Sequence, residues 1–246
     1  MEFLLYGRSD VLNQHLATLY SNILTYNCVP SVFSTGVLVP ILKKATLDPS
    51  LPSNYRPITI SSVFSKLFEV LIFPCDVALC DNQYGFRADY SVSHGITLLN
   101  DVMCYCNYRN SNMFLCSLDA EKCFDSIWHD GLFFKLNNVL SDVTWRILYN
   151  WYSGLNVVIK LNGHIHHQSQ FMVTRGTRQG SILSPVLFNI FLSDLLTELN
   201  HSKSGIRIGD DLYNSFAYAD DISLFSATVP GLQSLINTCN TADMKH

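Results

Sequence analysis

Apolar residues recur at helical spacing through Val11, Leu12, Leu16, Leu19, Tyr20, Ile23 and Leu24, which predicts a first helix that ends before Pro30. Val37 to Leu42 is a short run with β-branched residues and reads as a strand. Pro40 places it at a sheet edge, because a central strand has no use for a residue without an N–H. Lys43 and Lys44 follow, before a proline-rich loop over Asp48 to Pro57. Val63, Leu67 and Leu71, then Ile96, Leu99, Val102, Met103 and Cys106, form two more helical stripes on either side of the polar stretch Asp81 to Ser93. The chain up to about residue 112 therefore reads as mainly helical.

From Met113 the texture changes. Phe114 to Leu118 reads as a buried strand that ends in Asp119, and Leu132, Phe133, Leu136 and Leu140 continue as a helical pattern. Val157 to Leu161, then Asn162-Gly163, then a run ending at Phe171 to Val173 predicts a hairpin, since Asn-Gly supplies the positive φ angles of a type I′ turn. Ser184-Pro185 opens a helix with Ser as N-cap, Pro at the first helical position and an apolar face of Val186, Leu187, Ile190, Phe191, Leu195 and Leu199. Phe216 to Ala219 and Ile222 to Phe225 are two apolar runs on either side of Asp220-Asp221, and a final helix runs through Leu232, Leu235 and Ile236. No repeat or low-complexity segment interrupts the chain.

Composition narrows the class. With 48% apolar and 15% charged residues the chain folds, and 12 glycines with 8 prolines exclude collagen-like or linker-rich sequence. Sixteen basic against 20 acidic residues leave a net charge of −4, so a polyanionic partner needs a local basic patch. The 8 cysteines show no Cys-x-x-Cys pair or zinc-finger spacing and read as reduced thiols. Met1 to Arg8 lacks the basic start and apolar length of a secretory signal, and Val186 to Leu196 is too short and too polar to span a bilayer. The expectation is a chain without membrane contact, in the cytoplasm or nucleus. The histidines His164, His166 and His167 follow the Asn162-Gly163 turn, where alternate residues of one strand share a face, and are not read as a zinc site. Asp210-Asp211 reads as a solvated polar turn.

Two adjacent carboxylates at a tight turn repel each other, and a divalent cation removes that cost. Asp119 completes such a site if its strand neighbours the Asp220-Asp221 hairpin, and a hard Mg²⁺ ion accepts carboxylate oxygens with water and substrate phosphates. Two such metals suit in-line phosphoryl displacement. For an arbitrary Asp pair, a solvated turn is the ordinary explanation.

The surroundings of this pair point further. Phe216-Ala-Tyr-Ala-Asp-Asp221, Leu118-Asp-Ala-Glu-Lys-Cys-Phe-Asp125 and Arg175-Gly-Thr-Arg-Gln-Gly-Ser-Ile-Leu-Ser-Pro-Val-Leu-Phe188 resemble palm motifs of the reverse transcriptase family, in its non-LTR (LINE-type) retrotransposon branch. Asn54-Tyr-Arg-Pro-Ile58 and Gln83-Tyr-Gly-Phe-Arg87 are similar to the fingers motifs of that family, in the same order.

The resemblance implies an α+β fold: a right-hand polymerase with a mainly helical fingers region over 1–112 and a palm over 113–246, its antiparallel sheet carrying helices on one face. It implies catalytic carboxylates Asp119, Asp220 and Asp221, with Asp119 and Asp220 as principal ligands of two Mg²⁺ ions, for which Mn²⁺ can substitute, and the carbonyl of Ala120 assisting. Phe124 matches the steric gate against a 2′-hydroxyl; an ordinary core Phe is the alternative. Gln179 and Gly180 match the pair lining the incoming nucleotide. Arg56, with Lys43 or Lys44, matches the triphosphate contacts, Gly85 and Arg87 the template path, and Arg175 and Arg178 add positive charge nearby. The implied partners are an RNA template, a DNA primer and a dNTP. The stretch between Glu69 and Gln83 is shorter than the pattern of the family, Ala88 to His94 departs from its wording, and no segment matches the thumb, an endonuclease or a Cys-His knuckle. The alternative to an active enzyme is therefore a catalytically inactive remnant that binds nucleic acid or protein.

Overall fold

In the computed structural model, residues 9–73, 77, 79–120 and 122–243 are described, apart from the side chains of His167, Ala242 and Asp243. Met1 to Arg8, Cys75 and part of the shortened stretch before Gln83 lie outside the described residues. Contacts group the chain into two units, one from the first 76 residues with 124–184, the other from 77–123 with 185–246. Each draws on two separate stretches of sequence.

The first unit begins with α1 (Asp10–Tyr26), started by Ser9, whose hydroxyl accepts from the Leu12 amide, and ended by Asn27 in the left-handed region. A short α2 (Ser31–Ser34) leads into a sheet of order β2-β1-β4-β5, formed by β1 (Thr35–Leu42), β2 (Tyr55–Ile60), β4 (Asn156–Leu161) and β5 (His164–Met172). β1 is thus central, not the edge strand that Pro40 suggests. The register explains why the proline is harmless. Pro40 faces Pro57 across the antiparallel β1–β2 pair, while the parallel ladder from β1 to β4 ends at the Leu38–Ile159 pair. The Thr59 amide points out of the β1–β2 pair, to the Gln179 carbonyl. By the alternation of antiparallel ladders, Pro40–Pro57, two residues on, is also a pair whose N–H groups would point outward. Neither proline removes a ladder bond. β2 starts inside the stretch read as a loop, where proline content masks its alternation.

Asn162 and Gly163 turn β4 into β5 with φ of 49° and 83°, the two positive angles of a type I′ turn. The helices α3 (Val63–Ile72), α6 (His129–Leu136) and α7 (Asp142–Ser153) complete the unit, with the single turn α5 (Cys123–Ser126). Tyr20, Phe33, Phe68 and Trp151 form its aromatic core, with successive ring centroids 5.3–6.3 Å apart. α3 turns the opposite way from its predicted stripe. Ser65, Phe68, Glu69 and Ile72 are buried, whereas Val63, Leu67 and Leu71 are exposed.

The second unit holds the sheet β3-β9-β8, of β3 (Phe114–Asp119), β8 (Ser215–Tyr218) and β9 (Asp221–Ser226), all antiparallel. β3 is an edge strand and only half buried. Cys116 and Leu118 face the core, while Leu115 and Asp119 face outward. On the core face lie α8 (Ser184–Asn200) and α9 (Val229–Asp243), which bring Leu196, Leu199, Leu235 and Cys239 against Ala217, Ile222 and Leu224. α4 (Val92–Tyr108) packs Val102 and Cys106 against Phe225 and Phe216 on the other face of the sheet. Of its predicted stripe, Ile96 and Met103 are exposed. A two-stranded β6 (Ile206–Ile208) and β7 (Asp211–Tyr213) places Asp210 in the connecting turn and Asp211 at a strand start. Ser184 does not act as an N-cap: its hydroxyl donates to the Arg178 carbonyl.

Candidate functional site

Alternation along β3 sends Leu115, Ser117 and Asp119 outward, so the last residue of the strand delivers its carboxylate to the open end of the sheet. The antiparallel register places Asp119 directly opposite Asp221, and Tyr218 opposite Asp221 on the other side. Directly opposed side chains stand on one face about 4.5–5.5 Å apart at Cβ, and like charges there are destabilising. Asp119 and Asp221 are both exposed, and Asp220 is half-buried in the turn.

That turn is tight. β8 ends at Tyr218 and β9 begins at Asp221, which leaves Ala219 and Asp220 as the two central residues. Ala219 has φ 57° and Asp220 is not among the positive-φ residues, the pattern of a type II′ turn. A left-handed residue with a Cβ costs about 1–2 kcal/mol. Ala219 is nonetheless 8% exposed and held from both sides. Its N–H donates to Gln83 Oε1 at 3.1 Å, and its carbonyl accepts from Gln83 Nε2 at 3.2 Å.

The segment carrying Gln83 lies along β8 like a short additional strand. The Ala217 N–H donates to the Asn82 carbonyl, and the Tyr84 N–H donates to the Ala217 carbonyl, with a parallel bridge between Gln83 and Ala217. Gly85 follows. Its N–H donates to Gln83 Oε1 at 2.8 Å, and its carbonyl accepts from Asn189 Nδ2 at 2.9 Å. A Cβ on Gly85 would lie 2.1 Å from the Ala219 nitrogen, so the absence of a side chain here is a packing requirement of the hairpin. Gly85→Ala is expected to push the Ala219 backbone away and to destabilise the chain by about 1–3 kcal/mol. A thermal unfolding midpoint equal to that of the wild type would contradict this.

Arg87 closes the same segment. Its Nη1 donates to the carbonyls of Cys80 and Gln83 at 3.0 and 3.2 Å, and its guanidinium lies 4.5 Å from the ring centroid of Tyr90. Sequence reasoning singled out Gly85 and Arg87 but passed over Gln83 and Asn189, the residues that hold them.

In the first unit, Lys43 and Arg56 are exposed, and the Lys43 N–H continues the β1–β2 ladder to the Asn54 carbonyl at 2.8 Å. Arg56 is opposite Ile41, so alternation puts Arg56 and Lys43 on one face. Phe124 is half-buried in α5, and its carbonyl accepts from the Thr177 N–H at 2.8 Å. Gln179 donates from Nε2 to Asp125 at 2.8 Å, and its carbonyl accepts from the Thr59 N–H at 2.7 Å. Gly180 has φ 110°, and a Cβ there would lie 2.7 Å from the Thr59 carbonyl oxygen. Backbone contacts therefore bind the Arg178 to Gly180 segment to the outer edge of β2.

Arg178 is not a source of positive charge for a ligand. It is 4% exposed and pairs with Glu69 at 3.4 Å, donates to the Phe33 carbonyl at 2.9 Å, and lies 5.2 Å from the Trp151 ring centroid. Glu69 also accepts from the Ile182 N–H at 2.8 Å. Close by, burial pushes the Tyr152 hydroxyl well above its ordinary range. The signal for Glu69 in the sequence, a lone acid on an apolar helix, carried no partner.

Among the described residues no group of three or more His, Cys, Asp or Glu could hold a metal ion. Mg²⁺ does not need one. It binds through one or two carboxylates and fills its octahedron with water and phosphate oxygens, a donor set that the cross-strand pair Asp119 and Asp221 fits. Ala120 is exposed directly after Asp119, with its carbonyl in no strand ladder.

Residues 41–243 match the family profile described as reverse transcriptase (RNA-dependent DNA polymerase). Among curated relatives, the chain is 28% identical over 78% of its length to the Pol polyprotein of the type-2 retrotransposable element R2DM of Drosophila melanogaster, covering 18% of that protein. It is 25% identical over 86% of its length to the RNA-directed DNA polymerase of the mobile element jockey of Drosophila funebris, covering 23% of it. The chain thus spans about a fifth of the length of these relatives. Among solved structures, apo telomerase from Candida tropicalis, truncated from its C-terminal domain, superposes with a TM-score of 0.57 at 11% identity, covering 94% of this chain and 51% of that one. Telomerase from the same organism in complex with a fragment of telomeric RNA superposes with a TM-score of 0.56 at 13% identity over 90% of this chain and 41% of that one. At such identities the likeness shows the fold, a mixed α+β arrangement of the polymerase type.

Proposed function

Because this chain belongs to the reverse transcriptase (RNA-dependent DNA polymerase) family, we propose that it copies an RNA template by extending a DNA primer with deoxynucleoside triphosphates. Two of its curated relatives, from the mobile element jockey of Drosophila funebris and of Drosophila melanogaster, are named RNA-directed DNA polymerase. In the reaction, the primer 3′-oxygen forms a bond to the α-phosphorus of the dNTP, the bond from that phosphorus to the β-phosphate oxygen breaks, and pyrophosphate leaves. The observation that carries this reading is the register pairing of Asp119 with Asp221, with Asp220 in the adjoining turn. These carboxylates would hold divalent cations, two Mg²⁺ or Mn²⁺ ions, which when bound would neutralise charge on the attacking and leaving oxygens.

The protein residues have separate tasks in this reading. Asp119, Asp220 and Asp221, with the Ala120 carbonyl, would hold the cations. Arg56 and Lys43, on one face of β1–β2, bind the triphosphate, a task suited to a planar guanidinium and a flexible ammonium. Gln179 and Gly180 line the base and sugar, Phe124 excludes a 2′-hydroxyl, and Gly85 and Arg87 border the template. The sequence region 1–112 is assigned to fingers and 113–246 to palm. Among the described residues no helix is long and apolar enough to cross a membrane.

Primer extension on poly(rA)/oligo(dT) with dTTP and Mg²⁺ tests the proposal. Incorporation is expected, and its absence would favour the inactive, binding-only reading. Phe124→Val is expected to raise incorporation of rNTP relative to dNTP by about 10- to 100-fold, the discrimination that a shaped pocket supplies. An unchanged ratio would return Phe124 to the role of a core residue.

A further inference from the structure

We infer that Gln83 is a positioning residue for the Asp220-Asp221 hairpin, and that Asn189 completes its hold by fixing Gly85; this rests on the polymerase reading above. The two polar ends of the Gln83 side chain make three hydrogen bonds, all to main chain of Ala219 and Gly85, and the residue is 1% exposed. Ala219 immediately precedes the first Asp of the pair and sits at φ 57°. As a central residue of a two-residue turn, its N–H and carbonyl have no partner in the β8–β9 ladder. They are buried, so without Gln83 they would stand unsatisfied next to a strained backbone.

The hold is two-sided. Gln83 grips the turn residue, and Asn189, 1% exposed on α8, donates to the Gly85 carbonyl from the other side of the same segment. Gly85 lies so close to Ala219 that a Cβ on it would collide with the Ala219 backbone nitrogen. The placement of Asp220, next in the chain, therefore depends on an amide side chain whose three hydrogen bonds all go to main chain. A side chain of this kind acts on the chemical step and leaves substrate affinity nearly intact, because it tunes the carboxylates and not the nucleotide-binding residues of the other unit.

Gln83→Met keeps length and approximate volume and deletes both hydrogen-bonding ends. With Mg²⁺, dTTP and poly(rA)/oligo(dT), the full chain carrying it is expected to show kcat reduced about 10- to 100-fold with KM for dTTP within about 3-fold of the wild type. Amide exchange at Ala219 is expected to quicken at least about 10-fold, while Leu224 in β9 keeps its protection. A kcat within about 2-fold of the wild type overturns the inference. If Gln83→Met does not fold, Gln83→Glu serves: it keeps the acceptor for the two N–H groups and turns the donor into a repelled oxygen opposite the Ala219 carbonyl, and full kcat in it overturns the inference equally. If the wild type incorporates nothing, the polymerase reading fails by itself. Exchange then decides the structural claim, since unchanged Ala219 protection in Gln83→Met overturns it and selective loss supports it.

Discussion

Asp220→Asn is expected to reduce dTMP incorporation on poly(rA)/oligo(dT) by more than about 100-fold while leaving the fold intact. The substitution keeps the shape of the residue and removes one negative charge from the set proposed to hold the cations. Charge stabilisation of an in-line phosphoryl transfer by bound cations amounts to several kcal/mol, and each 1.4 kcal/mol or so is a factor of ten in rate. Stability moves the other way. Asp119 and Asp221 face each other across the β3–β9 ladder, with Asp220 next along the chain, so in EDTA the three carboxylates repel and the amide relieves part of that repulsion. Thermal unfolding of the wild type is expected to shift upward with added Mg²⁺, because an ion that binds only the folded state stabilises it by mass action. Asp221→Asn is expected to raise the midpoint in EDTA slightly and to flatten the Mg²⁺ dependence. Incorporation by Asp220→Asn equal to that of the wild type would remove the carboxylates from the reaction.

Glu69→Ala is expected to destabilise the chain by about 3–5 kcal/mol, the cost of leaving one member of a buried ion pair without the other. The side chains of Glu69 and Arg178 are 1% and 3% exposed, and the pair is tied into the backbone at Ile182 and Phe33. With Glu69 gone, the Arg178 guanidinium has, among the described residues, the Phe33 carbonyl and the Trp151 ring to offset its lost hydration. The effect is expected to reach Gln179 and Gly180, proposed to line the nucleotide, because Arg178 directly precedes them and its own carbonyl accepts from Ser184. The double variant Glu69→Leu with Arg178→Met is expected to lose less stability than Glu69→Ala, since it removes both charges and refills the space with apolar groups. Urea denaturation of the three proteins decides the matter. A Glu69→Ala midpoint within error of the wild type would show that the pair contributes nothing net.

Much of the local structure is legible from residue order. Asn162-Gly163 prescribes positive φ at two successive positions and both residues adopt it. Asp119 stands at the end of its strand, and Asp220 stands in a tight turn between two apolar runs, as the pattern of residues 113–226 requires. The order of the motifs pointed to the reverse transcriptase family. These features depend on the φ preferences of a few residues and on apolar spacing within one element, which are local.

What residue order left open is which face of an element turns inward and what meets it there. The stripe Val63, Leu67 and Leu71 is as good a buried face as any by spacing, yet α3 buries Ser65, Phe68 and Glu69, because Arg178, 109 positions away, neutralises the acid and Trp151 packs on Phe68. Pro40 reads as an edge signal until Pro57 is seen opposite it. Gln83 reads as one more polar residue in a turn-rich stretch until Ala219 is laid against it, 136 positions later. The sequence by itself determined most of the elements and their turns, β2 excepted, because these follow from short-range sterics and periodicity. Only the tertiary structure decided which polar residues are buried and what they hold, because the free energy of a buried polar group is set by its partner, and the partner comes from a distant part of the chain.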